Sequence, residues 1–272
     1  MCSACSIFWI GISSHISRET TPPTFISKLY LPLPLVSLVF SYMLDQYQAQ
    51  TKCLVALDSI IFGFDGEKLK LLLVRRGLGP NRQTWSLMGG WLRPSEGLDE
   101  SASRILQELT GLENIYLEQL YTFGNPQRDP IERTVSVSYF ALISVADYES
   151  QVSNAFDAHW FTIDELPPLL FDHGDMVQMA IRQLRYKASQ HPIGFELLPE
   201  KFTLPQLQKL YEAIFGTVFD KRNFSRKILS TGLLIKTDEK QKGHSKKGAF
   251  LYQVDRDKYL KEFHSFQNFI SI

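Results

Sequence analysis

Cysteine is scarce in this 272-residue chain, limited to Cys2, Cys5 and Cys53. These are too few and too clustered for a disulfide framework, and no zinc-finger spacing can be completed from them. A reducing, cytoplasmic compartment is the expectation. Net charge is also lacking, since 29 Lys+Arg balance 29 Asp+Glu. Any attraction to a polyanion must therefore come from a local surplus. A long apolar run is missing as well. The first 42 residues are apolar, with Arg18 and Lys28 as their cations, but Pro22, Pro23, Pro32 and Pro34 interrupt them. A secretory signal needs a basic start and a continuous apolar core, and a membrane helix needs about 20 apolar residues in a row. Neither pattern is met, so no membrane partner is expected. Residues 29–43 come nearest to an anchor, and their two prolines argue against a helix. Residues 1–45 are read as an extension, with Met43 expected as the true initiator.

What is present is an ordinary globular composition, 44% hydrophobic and 21% charged, which excludes wholesale disorder and fibrous repeats. The length suits two domains. Charge divides them: residues 201–261 carry 14 Lys+Arg against 6 Asp+Glu, whereas residues 1–200 carry 15 against 22. A basic C-terminal module follows an acidic one.

From Thr51 onward the pattern is short and β-rich. Residues 54–62 and 69–75 flank an Asp65-Gly66 turn and predict a hairpin. Residues 85–91 read as one strand. Residues 98–110 predict a helix with Leu98, Ala102, Ile105, Leu106 and Leu109 on one face and Gly111 as its stop. Strands are expected at 135–145 and around 159–161, and a closing helix at 174–187. Strands with helices laid upon them predict an α/β sandwich on a mixed sheet, as opposed to a doubly wound parallel one. Pro192, Gly194 and Pro199 mark 190–199 as a linker, so one domain is set at 46–190 and a second at 191–272. Beyond the linker Thr203 caps a helix containing Pro205, Leu207, Leu210, Tyr211 and Ile214, and Asp220 caps another at 221–230. Strand-like runs at 233–237 and 249–254 enclose a basic tip. Helix, helix, hairpin is the outline of a winged helix-turn-helix.

The stretch that carries chemistry is Gly90, Glu96, Arg104, Glu108, Gly111 and Leu112. At these spacings it resembles the Nudix box, a loop-helix-loop in which helical glutamates hold Mg²⁺ against a pyrophosphate. Two glutamates of that pattern are replaced here, by Ile105 and Leu109. The resemblance therefore implies a Nudix-type fold with no catalytic residue assigned, no cofactor, and Mg²⁺ only if hydrolysis persists. Glu96 and Glu108 are the residual metal positions. Arg104 and Glu108 also read as an i,i+4 ion pair. Further along, Gln127, Arg128, Asp129, Pro130, Arg133, Trp160 and the run Phe171, Asp172, His173 are similar to Nudix-related transcriptional regulators of the NrtR and AraR type. In these regulators a degenerate Nudix domain is fused to a winged helix. The match spans roughly residues 50–260. It implies an effector-responsive repressor or activator, usually a homodimer on double-stranded DNA. Some branches answer to ADP-ribose. Another, which this chain resembles more, answers to sugars such as L-arabinose and controls carbohydrate metabolism.

For the effector, the candidates are Arg128, Asp129 and Arg133, a guanidinium fork with a carboxylate suited to hydroxyls or phosphate, together with Arg104 and Glu108. Arg-Asp pairing that merely stabilises a loop is the alternative. For DNA, Arg222, Asn223 and Arg226 share a helical face and can make bidentate base contacts, with Ser225 and Lys227 beside them. Lys246 and Lys247, with Lys240 and Lys242, sit on the expected wing, where they can neutralise phosphates. Two other functions remain open: an active Nudix hydrolase on a nucleoside diphosphate-linked substrate, recruiting Glu100 or Glu132, and an adaptor whose winged helix contacts RNA or protein.

Overall fold

The structure, a computed structural model, describes residues 33–76, 84–149, 151–152, 157–190, 192–241 and 248–259. The chain forms two compact units, Met1–Lys52 and Cys53–Ile272. In the first lies helix α1 (Leu33–Gln48), although the prolines of residues 29–43 argued against a helix there. Pro34 falls in the first turn, where a missing N–H costs no helical hydrogen bond. No helix among the described residues is long and apolar enough to cross a membrane.

The second unit begins with the expected hairpin of β1 (Leu54–Phe64) and β2 (Leu69–Arg76). Its turn is held by Asp65, whose carboxylate accepts the N–H groups of Glu67 and Lys68 at 2.9 and 2.7 Å. The single strand expected at 85–91 is instead two, β3 (Thr84–Ser86) on β2 and β4 (Met88–Trp91) on β1. They part at Leu87, whose N–H donates to His173 Nδ1 at 3.2 Å. The helix expected at 98–110 is α2 (Leu98–Thr110), ended by Gly111 at φ 79°. An edge strand that the sequence reading did not foresee, β5 (Glu118–Phe123), pairs antiparallel with β6 (Thr134–Ser144). β6 runs parallel to β1 from Leu54↔Thr134 to Phe64↔Ser144. It stops one residue before the expected Val145, because Ser144 caps the short helix α3 (Val145–Tyr148). β7 (Ala158–Thr162) pairs with β2, and α4 (His173–Gln190) closes the fold.

Side chains alternate across β1 and bury both faces. Leu57 and Ile61 pack on Ala102, Ile105 and Leu106 of α2, while Ile60, Phe62 and Phe64 pack on Met176, Val177, Ala180 and Ile181 of α4. The result is an α/β/α sandwich on a mixed sheet, followed by a winged helix.

The winged helix comprises β8 (Phe202–Thr203), α5 (Leu204–Phe215), α6 (Lys221–Ser230), β9 (Leu234–Gln241) and β10 (Ala249–Val254). Thr203 and Gln206 form a reciprocal cap on α5, and Asp220 accepts the N–H of Asn223 at 2.7 Å to cap α6. Residues 190–199 do not behave as a free linker. Phe195 and Leu197 are buried, and the N–H of Ile193 donates to Tyr211 Oη at 3.0 Å. Apolar side chains in that segment join both modules into one core, which runs from Phe62 through Leu184 to Leu210, Ile214 and Ile228.

Candidate functional site

At the Nudix-like box, β4 places Gly90 against α2. A Cβ at Gly90 would lie 2.9 Å from Ile105, so the glycine leaves room for an aliphatic side chain. Ile105 is buried with Leu57, Ala102, Val137 and Tyr139, and Leu109 is partly buried against the same cluster. The two carboxylates that remain are held by arginines. Arg104 donates through Nε and Nη2 to both oxygens of Glu96 at 2.7 and 2.8 Å, and through Nη1 to Glu108 at 3.1 Å. Arg93 donates to Glu96 and Glu108 at 3.4 and 3.1 Å. Hydrogen bonds from Arg104 and Ser101 lower the Glu96 carboxyl from 4.5 to about 2. Glu100 accepts the N–H of Gly97 at the start of α2, and Glu132 accepts that of Arg133, so both are engaged locally.

These residues do not fit a divalent cation. Charge at the two glutamates is already matched by guanidinium, aliphatic groups fill the neighbouring positions, and among the described residues no three His, Cys, Asp or Glu are grouped to hold a metal ion.

A different cluster lies in a small cleft lined by Ala56, Asp58, Gly89, Gly90, Trp91, Arg128, Asp129, Thr134, Phe171 and His173. Arg128 is 7% exposed. It donates to Asp172 through Nε and Nη2 at 3.0 and 2.8 Å, and its Nη2 lies 3.6 Å from Asp58. Asp58, on β1, also accepts from Ser136 Oγ at 2.6 Å. Because His173 Nδ1 accepts from Leu87, the neutral ring carries its proton on Nε2, 3.5 Å from Asp58 Oδ1. Buried charges of opposite sign are thereby gathered on the cleft floor, and the exposed rings of Trp91 and Phe171 stand among its lining.

Of the effector candidates, the structure brings Arg128 and Asp129 into this cleft. Asp129 accepts from Ile131 N–H and Thr134 Oγ1. Arg133 lies outside the lining and clamps the carbonyls of Gly124 and Thr134, both at 3.1 Å. Arg104 and Glu108 belong to the box. Arg128 does pair with an aspartate, but with Asp172 in place of the adjacent Asp129. Sequence reasoning missed Asp58 and Asp172 as partners; the signals available were a charge inside an apolar strand and the quoted run Phe171 to His173. Outside the cleft, Trp85 packs edge-on against Phe161, with Arg75 over its ring, and His159 pairs with Asp157.

On α6, Phe224 and Ile228 turn inward, while Arg222, Asn223, Arg226 and Lys227 are exposed and Ser225 is half-buried. Arg226 Nη2 donates to Asn223 Oδ1 at 2.9 Å. On the wing, Lys236 and Lys240 stack over the Phe250 ring at 3.5 and 4.4 Å. Lys242, Lys246 and Lys247 lie outside the described residues.

Comparison with known proteins covers the same ground. Residues 54–180 match the NUDIX domain family, and residues 194–254 match the NrtR DNA-binding winged helix domain. The chain is 35% identical over 222 residues to an ADPR responsive transcriptional repressor, NtrR, of Acinetobacter baylyi, covering 79% of this chain and 88% of that one. It is 29% identical over 139 residues to an ADP-ribose pyrophosphatase of Methanocaldococcus jannaschii, covering 51% and 79%. The crystal structure of Shewanella oneidensis NrtR complexed with a 27mer DNA is similar at TM-score 0.63 and 32% identity, over 75% of this chain and 95% of that one.

Proposed function

The chain belongs to the NrtR family of transcriptional regulators, a NUDIX domain joined to a DNA-binding winged helix, and on that premise we propose that it is a repressor whose cleft takes ADP-ribose and which leaves its DNA when the cleft is filled. The observation that carries this reading is the buried Arg128 in a cleft with two exposed aromatic rings. A pyrophosphate competes with Asp172 for the guanidinium, and Trp91 and Phe171 offer faces to a purine. An uncharged sugar such as L-arabinose, the effector towards which the sequence alone leaned, offers Arg128 no anion. Similarity to an ADPR responsive repressor and to an ADP-ribose pyrophosphatase supports ADP-ribose, and carbohydrate control is set aside.

In this reading α6 enters the major groove. Arg222, Asn223 and Arg226 read base edges, Ser225 and Lys227 meet the backbone, and Lys240, Lys246 and Lys247 of the wing neutralise phosphates. Two copies occupy two half-sites of a palindrome. The box holds its carboxylates in arginine pairs, and the protein works as a sensor with no metal-dependent hydrolysis.

Fluorescence anisotropy of the full chain on its own upstream DNA, titrated separately with ADP-ribose and L-arabinose, tests this. The expected result is salt-sensitive specific binding that ADP-ribose weakens and arabinose leaves alone. Absence of specific duplex binding, with metal-dependent cleavage of ADP-ribose in its place, would return the chain to the hydrolases.

A further inference from the structure

The helix α4 touches both ends of the problem. At its start the N–H groups of Asp175 and Met176 donate to the carbonyl of Asp172 at 3.0 and 3.2 Å, and the carboxylate of that residue is the bidentate partner of Arg128 in the cleft. His173, the first helical residue, lies on the cleft floor. From there 18 residues, about 27 Å of helix at 1.5 Å per residue, run beneath the shared core. Twelve residues along, about 18 Å from His173, Arg185 Nε donates to the carbonyl of Ile214 at 2.9 Å, in the last turn of α5. Its Nη2 lies so close to Gly216, the left-handed stop of α5 at φ 65°, that a Cβ there would approach it to 2.9 Å.

That contact sits at the turn that aims α6. Glu212 of α5 accepts the N–H of Phe219 at 2.8 Å, and Gln208 donates to the Phe219 carbonyl at 2.9 Å, so the turn is clamped to α5 just before Asp220 caps α6. Beyond Arg185, Ala188 and Gln190 of α4 face Asn223 and Lys227 of α6 across an apolar groove. Besides the apolar packing that α4 and α5 share, Arg185 adds a directed side-chain hydrogen bond from α4 to the end of α5.

We propose that α4 carries the state of the cleft to the recognition helix, and that Arg185 is the positioning residue through which it does so. This rests on the reading of the cleft as an effector site. A ligand anion that takes Arg128 frees Asp172. The start of α4 then shifts, and because a helix packed along its length moves as one body, Arg185 pulls on the carbonyl end of α5 and re-aims α6. Phe171, held at φ 49°, supplies a strained joint immediately before the helix.

The test compares the wild-type full chain with Arg185→Met, Arg185→Lys and Lys209→Met. The last of these cuts the exposed Lys209–Glu67 pair, which also bridges α5 to the sensor. ADP-ribose affinity is read by calorimetry, and operator affinity by anisotropy with and without ADP-ribose. In Arg185→Met the ADP-ribose affinity stays within about twofold of wild type, while the effector-induced loss of DNA affinity falls from about tenfold or more to under about threefold. Arg185→Lys, which keeps a charged donor near Ile214, recovers part of the response, and Lys209→Met keeps all of it. A purely structural role lowers the melting temperature and leaves the response ratio intact.

An unchanged ratio in Arg185→Met overturns the proposal, and so does an equal loss in Lys209→Met. If Arg185→Met does not fold, Arg185→Lys decides by the same ratio. Failure of the wild-type protein to bind ADP-ribose overturns the effector reading itself. Binding and full response in every variant overturns only the route through Arg185.

Discussion

The arginines of the cleft and those of α6 are built in opposite ways. Arg128 is buried and tied to Asp172 with Asp58 close by, whereas Arg222 and Arg226 stand exposed on a helix whose inner face is Phe224 and Ile228. A buried guanidinium between carboxylates is costly to remove, because its partners are left without a counter-charge, and another anion can compete for it. An exposed one adds little to stability and stays accessible to a duplex, even where, as at Arg226, it also bonds a neighbour on its own helix. The box arginines fall between, neutralising carboxylates at the protein surface.

Removing Arg128 tests the first half most severely. Arg128→Leu leaves Asp58 and Asp172 without their cation, and the expected loss is about 3–5 kcal/mol of unfolding free energy, read from urea denaturation. A loss near zero would mean the cluster is no more than a surface pair. The second half predicts the reverse. Arg222→Ala with Arg226→Ala costs about 1–3 kcal/mol of DNA discrimination per lost base contact, with an unfolding midpoint close to wild type. Undiminished operator affinity would remove α6 from the recognition role. The smallest effect belongs to the box. Glu96 titrates near 2 instead of 4.5, so its pairing contributes stability that is present above about pH 4.5 and lost as the pH falls toward 2. The stability gap between wild type and Arg104→Met should therefore close on acidification through that window. A gap that stays constant from pH 6 to about pH 2 would show that Glu96 is not held by Arg104.

Much of the fold was legible because its signals are local. Asp65-Gly66 set the hairpin, Gly111 stopped α2, and Thr203 and Asp220 began α5 and α6 where their side chains accept N–H groups. The strand read across 85–91 broke for a reason no local pattern contains, since Leu87 gives its N–H to a histidine 86 positions away. β5 was missed because an edge strand with alternating exposed residues, Gln119 and Tyr121 among them, lacks the apolar run that marks a central strand.

The sequence by itself determined the class of this protein. The spacing from Gly90 to Leu112, the loss of glutamates at Ile105 and Leu109, and the basic surplus after residue 200 follow from residue identity, which survives any folding. Tertiary structure alone decided the site. Asp58, Arg128, Asp172 and His173 come from a strand, a loop and a helix start separated by up to 115 positions, and they meet because β1 crosses the sheet beside α4. It also decided that the apparent linker is core: Phe195 and Leu197 are buried because α4 and α5 share one apolar interior, and through that interior Arg185 reaches the turn before α6.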